Sequence, residues 1–146
     1  MVQARHLSTA VVAAAAIGIF AIAGTAQAEM MKFKAALTGA SEVPANAEKG
    51  TGQATLDFDS VTKVLTYTVS YTGLTGPATV AHIHGPAAVG ANAPPIIPFS
   101  NVQTSPIKGT ATLNDAQVAS LTSGMLYVNV HTAAHPGGEI RGQIVK

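Results

Sequence analysis

From Lys32 onward the chain is a succession of short runs in which apolar and polar residues alternate one for one, separated by clusters of glycine, proline, aspartate and asparagine. A period of two sends successive side chains to opposite faces of an extended strand, whereas a helix repeats every 3.6 residues. The pattern confines the chain to all-β folds. Lys32 to Thr38 is the first predicted strand, followed by the polar loop Gly39 to Gly50. Gln53 to Asp59 alternates Ala54, Leu56 and Phe58 against Thr55 and Asp57, and Lys63 to Tyr71 alternates Leu65, Tyr67, Val69 and Tyr71 against Thr66, Thr68 and Ser70. The link from Asp59 to Lys63 is short and turn-forming, so these two runs are expected to pair as an antiparallel hairpin.

Ala78 to His84 is a fourth predicted strand. The stretch Gly85 to Pro106 holds Pro94, Pro95 and Pro98 and cannot be a central strand, because proline brings no N–H to the ladder. Ile107 to Leu113, Leu126 to His131 and Glu139 to Val145 complete the set. Asn114 with Gln117 three residues later resembles a capping box, which places one short helix or turn over Asp115 to Leu121. Seven or so short strands joined by turns predict an antiparallel β-sandwich or flattened barrel. There is no internal repeat.

The first 28 residues have a different character. Arg5 precedes a mostly apolar, Ala-rich run from Leu7 to about Gly24, and Ala26-Gln27-Ala28 gives the small-x-small ending of a secretory signal peptide before Glu29. A retained anchor is the rival reading, but the run is marginal for the roughly 20 apolar residues that a span requires. The expectation is a signal peptide over 1–28, a single β-domain over 29–146, and a periplasmic or secreted location with no membrane span after cleavage. Of eight Lys and Arg, only Arg5 falls in the signal, which leaves seven against seven Asp and Glu. No net positive charge draws such a domain to nucleic acid. Without cysteine it has no disulfide to rely on, so its stability comes from packing or from a bound ion.

Four histidines remain beyond the signal. His82 and His84 stand at i and i+2 of one predicted strand and share a face, with Ala81 and Ile83 turned the other way into the core. If that pair packs inward, the two imidazoles stand on the outer face and can converge on one ion. His131 ends another predicted strand, and His135 follows four residues later, before Pro136-Gly137-Gly138. A set of imidazoles suits copper, zinc or nickel. The competing reading is a polar strand face, with His131 bonded to a loop carbonyl. Nucleophilic catalysis finds no Cys and no Gly-x-Ser-x-Gly, and Asp57 and Asp59 lie beside a turn where solvated acids are ordinary. Glu139 and Arg141 share a face of the last predicted strand. They are read either as a solvent-exposed ion pair or as an anion-attracting arginine near the His131 loop.

Ala81-His82-Ile83-His84-Gly85-Pro86-Ala87, Tyr127 to His131 and Pro136 to Ile144 resemble the two signature blocks of the chordin-type CHRD domain family. Leu37-Thr38-Gly39 with Glu42-Val43-Pro44 is similar to the family's opening. The resemblance runs from about Phe33 to Val145 and implies an immunoglobulin-like or superoxide dismutase-like antiparallel β-barrel, without an activity. A weaker similarity to Cu/Zn superoxide dismutase maps His82 and His84 onto its copper-binding strand, and His131 and Arg141 onto its late pair. With no histidine between 84 and 131 and no cysteine, the zinc-bridging ligand and the disulfide of that enzyme are missing. Three readings follow in order. The first is an exported binding module holding copper or zinc on His82, His84 and His131, with His135 as a candidate fourth ligand. The second is an interaction module that docks an extracytoplasmic protein or a polysaccharide. The third is a dismutase-type enzyme.

Overall fold

Eight antiparallel strands form one sheet in the computed structural model, which describes residues 29–146; the signal-peptide reading of 1–28 lies outside the described residues. In chain order the elements are β1 (Met30–Thr38), a 3-10 turn (Gly39–Ser41), β2 (Thr51–Asp59), β3 (Val64–Thr72), β4 (Ala78–His84), β5 (Pro95–Pro98), β6 (Ile107–Thr112), α1 (Asp115–Thr122), β7 (Tyr127–Thr132) and β8 (Ile140–Gln143). The sheet order is β5-β4-β7-β8-β1-β2-β3-β6. The predicted hairpin is present: Leu56 faces Tyr67 and Phe58 faces Leu65 on the core side, while Thr55 faces Thr68 outside. Its turn is held by the Asp59 carboxylate, which accepts from the N–H groups of Val61 and Thr62 at 2.8 and 3.1 Å.

The sheet curls into a nearly closed barrel around its apolar face. Phe33, Leu37, Leu56, Phe58, Leu65, Val69, Ile83, Val128, Val130, Ile140 and Ile144 fill it. Each such side chain contributes roughly 1.5–3 kcal/mol by leaving water. The gap between edge strands β5 and β6 is bridged by the segment that joins them. The Phe99 N–H donates to the Ala81 carbonyl at 2.9 Å, the Phe99 ring stacks on Tyr67 at 4.3 Å, and the Tyr71 hydroxyl donates to the Val102 carbonyl at 2.6 Å. The segment that the sequence keeps out of the sheet centre thus supplies a four-residue edge strand, bounded by Pro95 and Pro98 at the position where proline is tolerated. The predicted helix is α1, with both halves of its capping box formed between Asn114 and Gln117. The last strand is shorter than its alternation predicts, although Val145 still bridges to Lys34 beyond it.

Two features of the topology position the site. β4 and β8 both pair with β7, so residues distant in sequence share one outer face. Where β8 meets β1, Gly142 leaves no room: a Cβ there collides with the Ala36 carbonyl.

Candidate metal centre

Alternation along β4 buries Ala81 and Ile83 in the core and turns His82 and His84 outward, as the spacing predicts. On β7, Val128 and Val130 enter the same core, and Tyr127, Asn129 and His131 face out. The register sets Val80 opposite His131, His82 opposite Asn129 and His84 opposite Tyr127, so His82 stands one same-face step along the ladder from His131. The three imidazoles meet. Ring centroids lie 5.3 Å apart for His82 and His84, 5.3 Å for His82 and His131, and 6.0 Å for His84 and His131. One ring nitrogen from each lies within 4.8 Å of the other two.

This outer face is not open to solvent. His84 and His131 are buried, and His82 is half-buried. Loops from three parts of the chain lie over it. The loop after β4 brings the Ala93 carbonyl to Nδ1 of His84 at 2.9 Å, and the loop after β7 brings the Pro136 carbonyl to Nδ1 of His131 at 2.9 Å. The loop after β1 places Glu42 against Asn129.

A carbonyl accepts only, so both Nδ1 atoms are protonated and both Nε2 atoms carry the free lone pair. Those two Nε2 atoms, together with Nδ1 of His82, are buried and have no hydrogen-bond partner. Burial and then the neighbouring imidazoles His131 and His84 push the His82 pKa down. Burial also lowers His84, with His131 and Arg141 adding to it against the Ala93 carbonyl, and burial lowers His131 against the Pro136 carbonyl. Neutral imidazole, the form that ligates a metal, is therefore favoured at all three positions.

Nitrogens roughly 2.0–2.1 Å from one tetrahedral ion stand about 3.4 Å apart, against the 4.8 Å within which one ring nitrogen of each histidine lies from the others. His82 is the most accessible of the three.

His135 does not join the cluster. Its Nε2 lies 3.2 Å from the Glu48 carboxylate. The tight turn from Thr132 to His135, closed by the His135 N–H donating to the Thr132 carbonyl at 3.1 Å, carries it away. What its segment brings to the site is the Pro136 carbonyl. The exposed ion pair expected of Glu139 and Arg141 is also absent. Glu139 is fully buried and accepts from the hydroxyls of Thr75 and Thr132, both at 2.6 Å, whereas Arg141 donates to Asn92 Oδ1 at 3.0 Å and to the Ala91 carbonyl at 2.7 Å. Glu139 lies just before β8, which begins at Ile140 and carries Arg141. The guanidinium lies 3.4 Å from the centre of the Tyr127 ring, which stacks on His84 at 4.9 Å with 10° between planes.

Tyr127 and Asn129 were not singled out in the sequence, although they alternate with His131 against Val128 and Val130. That period-two pattern was the available signal.

A family profile described as CHRD domain matches residues 33–144. No curated protein and no solved structure gives a significant match.

Proposed function

The chain belongs to the CHRD domain family, and from that premise we propose that it is an exported binding module with a mononuclear copper or zinc site on His82, His84 and His131. One observation carries the reading: His82, His84 and His131 each hold a buried ring nitrogen without a partner, and one ring nitrogen of each lies within 4.8 Å of the other two. Leaving a buried polar atom unpaired costs about 1–3 kcal/mol, and here three such costs fall at one point. Incidental histidines on a polar strand face are solvated instead, which weighs against the purely interaction-based alternative. One ion satisfies all three lone pairs. The backbone carbonyls of Ala93 and Pro136 fix the tautomers of His84 and His131 from behind, the arrangement by which outer groups orient ligating imidazoles.

The role is holding an ion, for buffering or for stability of a domain that has no disulfide. Export is supported by the Ala26-Gln27-Ala28 ending of the leader, and no helix among the described residues is long and apolar enough to cross a membrane. The test is titration of the purified protein with copper and zinc, read by thermal shift and by imidazole NMR. Binding is expected in the wild type and in His135→Ala, and its loss in His84→Ala and His131→Ala. The absence of both a shift in melting and perturbed imidazole signals, with copper and with zinc, overturns the site.

A further inference from the structure

In their ligating form the three imidazoles contribute no charge, and among the described residues no carboxylate is hydrogen-bonded to any of them. Glu139 is engaged by Thr75 and Thr132, Glu48 by His135, and Glu42 by Asn129. Burial holds the Glu42 carboxyl, the acid next to Arg141, largely protonated below its raised pKa of about 7, so at pH 6 the fixed charge beside the cluster is Arg141. The residue is only 2% exposed, its guanidinium donates to the neutral oxygens of Asn92 and Ala91, and it forms no ion pair with an acid among the described residues. Stacked on Tyr127, which is stacked on His84, it forms a column directed at the ligand set.

A guanidinium cannot give up its proton, and a buried charge is screened only weakly by solvent and salt. An ion entering the cluster therefore sits in a standing positive field. The electrostatic cost grows in proportion to the ion's own charge. The carboxylate or thiolate that would offset a divalent charge is missing from the ligand set. Imidazole binds copper as well as zinc, so the field rather than the donor type discriminates.

We infer that this site takes copper in its monovalent, cuprous state in preference to cupric copper and zinc, and that Arg141 sets the preference. The inference rests on the metal reading given above. Arg141 is a positioning residue here: it acts through the Tyr127 and His84 stack and does not touch the ion. One unit of charge at roughly 10 Å, in an effective dielectric of about 20, changes a monovalent-to-divalent affinity ratio roughly tenfold.

The experiment is competitive titration of the purified chain at pH 6 against chelators of known affinity. Cuprous ion is kept reduced by ascorbate without oxygen, and cupric and zinc ions are titrated separately. Tightest binding is expected for the cuprous ion, with a copper midpoint potential above that of free copper in the same buffer. Arg141→Gln is expected to reduce the cuprous-to-cupric ratio roughly tenfold, and Arg141→Lys to retain it. Asn92→Asp, which sets a carboxylate against the guanidinium in place, is expected to reduce the ratio as Arg141→Gln does and keeps the test open where that variant does not fold. Equal or tighter binding of the divalent ions by the wild type overturns the inference while leaving a metal site standing, as does a ratio indifferent to both neutralising variants. Failure of all three ions to bind overturns the metal reading itself.

Discussion

At position 42 a carboxyl group sits where water scarcely reaches, with 6% of the residue exposed. The Asn129 amide N–H donates to Oε2 at 3.3 Å, while Glu42 Oε1 and Asn129 Oδ1 are buried acceptors with no donor, both crowded against Gly138. One proton on Oε1 supplies the missing donor. Burial pushes the Glu42 pKa up to about 7, with Asn129, Arg141 and His135 pulling the other way. Because the folded state holds this proton more tightly than the unfolded chain, the contribution is full below about 4.5, declines as pH rises and is gone above about 7. The histidine cluster has the opposite sign: its lowered pKa values remove stability as pH falls below the ordinary histidine range. The two effects separate in the difference between wild type and Glu42→Gln, whose amide donates at every pH. Urea unfolding of the metal-free protein is expected to show the wild type losing on the order of 3 kcal/mol relative to Glu42→Gln between pH 4.5 and 7. A flat difference across that range shows that Glu42 does not titrate there.

The elements that make the site are β4, β7 and β8, and their mutual placement depends on the seam where β8 joins β1. That seam is short. Thr38 pairs with Arg141, Lys34 bridges to Val145, and Gly142 lies against the Ala36 backbone between them. The obstruction at 142 is backbone rather than a flexible side chain, so Gly142→Ala has to push the strands apart. A loss of about 1–3 kcal/mol by urea denaturation is expected, the range for overpacking a well-filled interior. Metal affinity should fall with it, because the displaced strand pairs with β7, which carries His131. An unchanged unfolding midpoint shows that the seam yields without cost.

For the whole molecule, the proposed three-ligand ion would substitute for the cross-link that a cysteine-free chain does not make. An ion that binds only the folded state at one hundred times its dissociation constant adds about 2.7 kcal/mol, and for a domain of this size that is a shift of several degrees in melting temperature. Stripping the protein with a chelator is expected to lower Tm by that amount, and returning the metal to restore it. His84→Ala should melt at one temperature with or without metal. A chelator effect that persists in His84→Ala places the ion elsewhere.

How much of this was written locally can be seen residue by residue. The strands were legible, since alternation such as Leu65, Tyr67 and Val69 against Thr66 and Thr68 is a property of neighbours, and so was the capped helix after Asn114. The outward turn of His82 and His84 followed from the same period. Burial of that outward face did not, nor did the release of His135 or the separation of Glu139 from Arg141. Each depends on segments far apart in the chain: the Ala93 carbonyl behind His84, Glu42 against Asn129, and Asn92 beneath the guanidinium. Sequence by itself determined which side of each strand is apolar, because a strand's two faces are set by steps of one residue. Only the tertiary structure decided which polar face would be roofed by loops and deprived of water, because that rests on strand order and loop packing, to which local periodicity is blind.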